Sequence, residues 1–459
     1  MDLRYGLAVA VGKSAYFVLR HFFHRGTALP GKIALRIDSK FLTRYCNKYD
    51  TILITGTNGK TLTTALAAKI LRTKYQVITN PSGSNMKQGI ATMFLASSQH
   101  VRKGQKALAV IETDEANVEF VAKWLQAKYI VMTNLFRDQM DRYGEITTTY
   151  RKIMRGIMLR MPNISVIANG DDPVFALLRD KLAKVGPADV SYFGFALGKR
   201  SDEVPADPNS DALICPACKK NVLSYHYTSY HGLGWYYCQQ CGFERPELTY
   251  VVTSLSQASS TSVEFKLEGL PVKLHVGGTY NIYNALAAYS LARKLGITAQ
   301  TATDVLSADD EQVFGRQEVV QIADKAVTLI LVKNPVGLDQ VIKMIGTDQG
   351  SYGLAVLLNA NYADGVDTSW IWDGNFELLN FQQIPYVLAG GERWRDIAFR
   401  LKVAGAQTTR FEQATGLAEV VAKIKTAPTK RFYVLATYTA MLGLRGYLAK
   451  HDVKVEEMG

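Results

Sequence analysis

Apolar positions fall into the same rhythm twice along the chain. From Tyr49 to about Phe195, short apolar runs at 51–54, 76–79, 107–111, 129–132 and 165–168 alternate with segments of helical period. From about Ala326 the rhythm returns, with runs at 327–332, 354–358, 386–388 and 432–435. Brief buried strands separated by helices predict two α/β units, the first a parallel sheet flanked by helices and the second of Rossmann-like build. Residues 248–274 alternate apolar and polar positions and read as strands of a different kind.

Polar residues stand where the runs stop. Lys60 follows the first run, Asn80 the second, Glu112 the third, Thr133 and Asn134 the fourth, and Asn169 with Asp171 and Asp172 the fifth. Ligands bind open α/β sheets at the carboxyl ends of the strands, so these residues are expected to share one cleft. The second unit has its own set: Lys333-Asn334-Pro335, Asn359, Asn361, Gly390-Gly391 and Thr437.

Residues 1–23 are apolar in patches, but Arg4, Lys13 and Arg20 interrupt them. No span of about 18 apolar residues results, so neither a membrane-crossing helix nor a clean signal peptide is expected. A basic amphipathic helix packing on the first α/β unit fits the pattern; a sharper role for it is resting on a membrane surface. Cytoplasm is the default compartment.

Composition narrows the partners. With 459 residues, 47% of them apolar and 20% charged, the chain is long enough for two or three globular domains. A net charge of +12 implies an anionic partner: nucleotide, nucleic acid or anionic lipid headgroups. Charge alone does not choose among them.

The stretch that begins to choose is Ile54-Thr55-Gly56-Thr57-Asn58-Gly59-Lys60-Thr61. A strand that stops on a glycine-rich turn and opens into a helix leaves backbone N–H groups converging at the helix N-terminus, which suits a phosphate. Gly56 and Gly59 allow close backbone approach, Lys60 reaches terminal phosphates, and the Thr61 hydroxyl ligates Mg2+. The usual eight-residue loop has glycine where Ile54 stands, so this is a shortened variant. An ordinary strand-to-helix turn is the bland alternative. Glu112, ending a buried strand beside the loop, is suited to holding the Mg2+. Asp114 and Glu115 fit better as charges at a helix N-terminus.

Cys215-Pro-Ala-Cys218 and Cys238-Gln-Gln-Cys241 are two knuckles nineteen residues apart, the spacing of a structural zinc ribbon with four thiolates and no open position. Tyr225, Tyr227, Tyr230, Trp235, Tyr236 and Tyr237 are expected to form its small core, and Cys46 reads as a buried thiol. Asn281 and Asn284, three apart at a helix start, either cap that helix or read an adenine edge. Arg316, after Gly315, has the form of a phosphate grip. Asp364 and Asp367 fall in a loop rich in carboxylates and tryptophan, where a solvated Asp-Gly turn is the ordinary reading of Asp364.

Jointly these residues resemble the Mur ligase superfamily, the ATP-dependent ligases of peptidoglycan stem-peptide assembly, which includes the folylpolyglutamate synthases. The resemblance covers nearly the whole chain from about residue 50. It is carried by Thr55 to Thr61, Glu112, Thr133-Asn134 with Asp138, Asp141 and Gly144, Asn169 to Asp172, Asn281 to Asn284, and Gly315-Arg316-Gln317-Glu318. It implies an N-terminal segment at 1–48 packing on a central ATP-binding domain at 49–312, a ribbon inserted at about 205–248, and a Rossmann-like domain at 313–459. ATP and Mg2+ join structural Zn2+ as cofactors. Gly56, Thr57, Asn58, Gly59, Lys60, Thr61, Asn281 and Arg316 would meet the nucleotide, Thr61 and Glu112 the magnesium, and Lys60 and Glu112 would be catalytic.

Four departures matter. Gln139 follows Asp138 where the superfamily commonly has histidine, which puts a second Mg2+ in doubt. Lys333 replaces the histidine of a His-Asn-Pro element, a ribbon is inserted, and the long N-terminal substrate domain is missing. With these the chain resembles the amidating branch, the ligase-like subunits of lipid II isoglutaminyl synthases. That resemblance implies ATP-dependent amidation of the α-carboxyl of D-glutamate in the lipid II stem peptide, through an acyl phosphate. It also implies a heterodimer with a GatD-type glutaminase that supplies ammonia, and an aspartate of the C-terminal domain lent to the partner's site: Asp364, with Asp367 second. The cysteines agree, since four are committed to zinc and no Cys-His nucleophile is visible. One rival is a ligase that adds an amino acid to a stem peptide or folate. Another is a zinc-ribbon nucleic-acid binder, which has no need of the ordered strand-end residues; no nucleic acid is expected.

Overall fold

In the computed structural model the described residues are 3–23, 28–80, 85–97, 107–137, 146–198, 214–308, 317–406, 410–451 and 453. Asp138, Gln139, Asp141, Gly144, Gly315 and Arg316 lie outside them.

Nine strands form the first sheet: β1 (Asp50–Thr55), β2 (Gln76–Thr79), β3 (Ala107–Glu112), β4 (Tyr129–Met132), β5 (Ser165–Asn169), β6 (Asp189–Phe195), β9 (Tyr250–Ala258), β10 (Val263–Leu267) and β11 (Leu270–Leu274), with the separate hairpin β7 (Ser224–Tyr230) and β8 (Leu233–Tyr237) between. Their order is β11-β10-β9-β6-β5-β4-β1-β3-β2. From β2 across to β9 neighbours run parallel, and β9, β10 and β11 form an antiparallel edge. Parallel strands are buried on both faces, which is why these segments read as continuous apolar runs. Alternate residues serve opposite cores. Ile52, Ile54 and Val110 pack under the helices Lys60–Leu71 and Thr279–Lys294, whereas Leu53, Ile111 and Met132 pack with Phe41 and Phe94 on the other side. Because β1 lies between β3 and β4, connections leave it in opposite directions, and the crevice of an open sheet falls at its carboxyl end.

Six strands form the second sheet: β12 (Glu318–Ile322), β13 (Lys325–Leu331), β14 (Gly353–Leu357), β15 (Tyr386–Gly390), β16 (Arg410–Gln413) and β17 (Arg431–Ala436), in the order β12-β13-β17-β14-β15-β16. Only β12 is antiparallel to its neighbour. Cores lie on both faces, one around Ile342, Leu354 and Leu401, the other around Leu329, Leu388 and Leu444. The apolar rhythm does not mark β12 or β16, because alternation (Glu-Val-Val-Gln-Ile) and a polar composition (Arg-Phe-Glu-Gln) leave no apolar run.

The helix Leu3–Phe23 lies against Leu29–Ile37 and Lys87–Ala96. It is not amphipathic in the expected sense. Ala8 and Gly12 face inward, and large apolar side chains also face outward. Among the described residues no helix is long and apolar enough to cross a membrane.

Candidate active site

The loop after β1 is shaped by two glycines. Gly56 has φ +137° and Gly59 φ +86°, conformations that side chains rarely adopt. A Cβ on Gly56 would stand 2.1 Å from Thr133 Oγ1, and one on Gly59 1.8 Å from Asn284 Oδ1. The end of β4 clasps the same loop. Thr57 N donates to Asn134 O (3.0 Å), Asn58 N donates to Asn134 Oδ1 (2.8 Å), and Asn134 Nδ2 donates back to Asn58 O (3.0 Å). Thr133 Oγ1 donates to Asn58 O at 2.9 Å. Asn169 and Asp172 hold this clasp from behind, through Asn169 Nδ2 to Thr133 O (3.0 Å) and Leu135 N to Asp172 Oδ2 (2.9 Å). The helix Lys60–Leu71 starts at Gly59 with no side-chain cap. Its first N–H groups lack intrahelical acceptors and face the loop concavity, an anion site built from backbone.

Lys60 is buried. Its Nζ donates to Gly56 O (2.5 Å) and Thr57 O (3.2 Å) and lies 3.2 Å from both carboxylate oxygens of Glu115. Glu115 is therefore a site residue that the sequence reading assigned to a helix N-terminus. The helix-start role belongs to Asp114, whose Oδ1 accepts from Ala116 N at 3.0 Å. Burial pushes the Glu115 carboxyl up, against the opposing charges of Lys60 and Lys333. Glu112 ends β3 in register with Ile54, beside the phosphate loop. Asn80, at the end of β2, fixes it by a reciprocal pair, Glu112 N to Asn80 Oδ1 (2.8 Å) and Asn80 Nδ2 to Glu112 O (3.0 Å). A carboxylate here and the Thr61 hydroxyl at the second position of the helix form a hard-oxygen donor set that fits Mg2+. The glycine cradle, uncapped helix and lysine likewise fit a nucleotide phosphate.

Asn281 is held at its own helix start: its Nδ2 donates to Gly277 O (2.7 Å) and its Oδ1 accepts from Asn284 Nδ2 (3.0 Å), leaving a second N–H and a second lone pair of the amide. Asn284 then abuts Gly59 and Thr63, which makes the pair a brace for the loop.

Residues of the second sheet meet this site directly. Asn334 caps the helix Pro335–Ile345 through Gly337 N (2.8 Å), and its Nδ2 donates to Asn58 Oδ1 at 3.0 Å. Gln317 exchanges hydrogen bonds with Gly277. The Tyr438 hydroxyl is pushed up first by burial and then by the charges of Glu112 and Asp364, so it lies within electrostatic reach of both. Asp364 is not a solvated turn. It is buried, with Oδ1 accepting from Thr439 N (2.7 Å) and Oδ2 from Thr439 Oγ1 (2.5 Å) and Asn361 N (3.1 Å). Asp367 is exposed and bonded to Ser369 N at 2.8 Å.

The four ribbon cysteines converge with their sulfurs all within 4.8 Å. Cys215 and Cys241 are 3.7 Å apart and Cys218 and Cys238 3.8 Å, close to the edge of about 3.8 Å that tetrahedral Zn–S bonds of about 2.3 Å require. Backbone N–H groups of Lys220 and Asn221 hold the Cys218 thiol low, toward the thiolate a metal needs, while burial pushes the neighbouring Cys215 up. Only Tyr225 and Tyr236 belong to the ribbon's own core; Tyr227 and Tyr230 join the main core and dock the ribbon on the sheet. Arg245 completes the docking through a buried ion pair with Asp171 (2.7 Å), whose carboxylate also accepts from Phe195 N and the Tyr283 hydroxyl.

The fold is that of Mur ligases. The Mur ligase middle domain family matches residues 54–221 and the MurT ligase C-terminal family matches residues 331–441. A pseudomurein peptide ligase type C from Methanothermus fervidus superposes with TM-score 0.64 at 20% identity, over 90% of this chain and 81% of that one. Within this class the chain belongs to the MurT family. It is 43% identical, over all of both chains, to the lipid II isoglutaminyl synthase (glutamine-hydrolyzing) subunit MurT of Streptococcus pneumoniae. It is 34% identical to the Staphylococcus aureus (strain COL) subunit of that name, over 88% of each.

Proposed function

We propose that this chain is the synthetase subunit of a lipid II isoglutaminyl synthase, acting as an ATP-dependent carbon–nitrogen ligase in the cytoplasm. It would convert the α-carboxyl of D-glutamate in a peptidoglycan stem peptide to the amide of D-isoglutamine. The observation that carries the reading is the glycine cradle set beside Glu112, in a chain similar from end to end to relatives of that name.

ATP with Mg2+ supplies the phosphoryl group. The N–H groups at the start of the helix Lys60–Leu71 and the Lys60 ammonium balance charge on the transferring phosphoryl; Thr61 and Glu112 are the residues to hold the metal. A substrate carboxylate oxygen bonds to the γ-phosphorus as the bond to ADP breaks. Ammonia then adds to the acyl carbon, phosphate leaves, and the ammonium proton passes to solvent. Asn281 acts as a brace, and Arg316 is kept as a phosphate grip. The units at 1–48, 49–312 and 313–459 are the proposed domains.

Ammonia is assigned to a GatD-type glutaminase in a heterodimer. Cys46 supports this: it is buried, its thiol is pushed up by burial to about 11, and it donates to Thr43 O and Trp124 O, which is no environment for a nucleophile. Asp364 is the residue proposed for the partner's site, with Asp367 second. Beside them Tyr362, Val366, Trp372 and Phe399 are exposed apolar side chains available for docking.

The test is ADP release and amide formation on lipid II by the chain co-expressed with its glutaminase. Glutamine or ammonia should support turnover and amino acids should not; turnover with amino acids alone would return the chain to the rival amino-acid ligases. Asp364→Asn should lose glutamine-driven turnover and keep ammonia-driven turnover. Full activity with glutamine would reject that assignment.

A further inference from the structure

The N-terminal helix Leu3–Phe23 is apolar on the side that faces away from the protein. Ala8 and Gly12 pack inward against Ala34 and Leu95. Leu3 (89% exposed), Leu7 (55%) and Val11 follow at four-residue intervals on the opposite side, and Val18, seven residues on, with Phe17 (59%) beside it, continues the face beyond Ser14. Spacing of four and seven residues puts these side chains on one face of the helix. From Leu3 to Val18 it runs about 24 Å. Isolated exposed apolar residues need no explanation, but an aligned row of this length does.

Charge around the stripe is predominantly positive. Residues 1–48 hold nine lysines and arginines against two aspartates, +7 of the chain's +12. Arg4 and Arg20 are exposed on the helix itself, and Lys32 and Arg36 are exposed one turn apart on the adjoining helix Leu29–Ile37, beside exposed Leu29. Asp38 is turned inward and paired with Arg44 at 3.2 Å. Protein interfaces deplete lysine and match charge across the contact, whereas an apolar stripe bordered by exposed cations suits an anionic bilayer.

We propose that this face docks the protein on an anionic lipid surface: the apolar side chains enter the headgroup boundary and Arg4, Arg20, Lys32 and Arg36 meet lipid phosphates. The helix lies in the plane of the surface and does not cross it, since Arg4, Lys13 and Arg20 are spread along its length. The inference rests on this helix and its neighbour, and it needs neither nucleotide nor acceptor.

Co-sedimentation with vesicles, in the absence of ATP and stem peptide, tests it independently of catalysis. The full chain should bind vesicles of phosphatidylglycerol mixed with phosphatidylcholine, bind pure phosphatidylcholine far less, and release as salt is raised. Leu7→Gln with Val11→Gln and Phe17→Gln should reduce binding roughly a hundredfold. Lys32→Glu with Arg36→Glu, both exposed and outside the core, should reduce it roughly fivefold per charge, and this pair carries the test if the triple variant melts early. No binding to anionic vesicles by the unaltered chain would overturn the proposal. So would unchanged binding in both variants, or a triple variant that keeps its lipid binding while dissociating a dimer, which would assign the face to a second copy.

Discussion

A methyl group on Gly59 would have to displace Asn284, and the backbone at φ +86° would strain any side chain. Gly59→Ala should therefore cost about 1–3 kcal/mol of stability and suppress ADP release at least roughly a hundredfold, because the same atoms brace the loop and shape its concavity. Thermal melting and turnover check the two halves separately. Glu115 behaves differently. Glu115→Ala would leave Lys60 buried without its counter-charge, at a cost of about 3 kcal/mol, and Glu115→Gln should cost much less because an acceptor remains. Urea titration of the two variants measures the gap. The loop glycines and Lys60 were legible in the sequence because their spacing carries the chemistry. Glu115 was not, because in Val-Ile-Glu-Thr-Asp-Glu three carboxylates compete for two roles and only the turn after β3 decides which one swings back to Lys60. Asp364 was legible as a residue but not as a buried one, since its partners on Thr439 come from the start of the helix Tyr438–Ala449, far along the chain.

At the scale of elements, the ribbon is held by two independent devices. One is the metal: a chelator should expose four reactive thiols while Cys46, with its thiol near 11 and buried, stays silent to a disulfide reagent at neutral pH until denaturant is added. Five reactive thiols in the folded, chelated protein would contradict that. The other device is the Asp171–Arg245 pair, one side chain fully buried and the other nearly so. Asp171→Asn should destabilise the protein by about 3 kcal/mol by leaving the guanidinium without an anion, even with zinc bound, as read from the urea midpoint. The cysteine spacing announced the ribbon. Its seat did not, because Tyr227 and Tyr230 are indistinguishable in sequence from Tyr225 and Tyr236, and only the register of β7 on β8 sends the two pairs to different cores.

For the whole molecule, the two sheets were legible from buried parallel runs, and the strand order was not, because nothing local states that β1 sits between β3 and β4 or that β17 lies between β13 and β14. What joins the sheets is also invisible in any window of sequence: Asn58 and Asn334 are 276 positions apart. Asn334→Ser isolates that joint. Serine keeps a good helix cap and should change stability by less than about 0.5 kcal/mol, yet it is too short to reach Asn58, so turnover should fall with little change in melting temperature.

That joint, and the one between Gln317 and Gly277, is made of amides and backbone. Neither partner titrates, and neither carries a charge for ions to screen. These two joints are thus indifferent to pH and ionic strength, while the N-terminal face, rich in cations and apolar side chains, responds to both lipid and salt. A cell that altered its membrane charge would move this protein on and off the surface while leaving these two joints untouched.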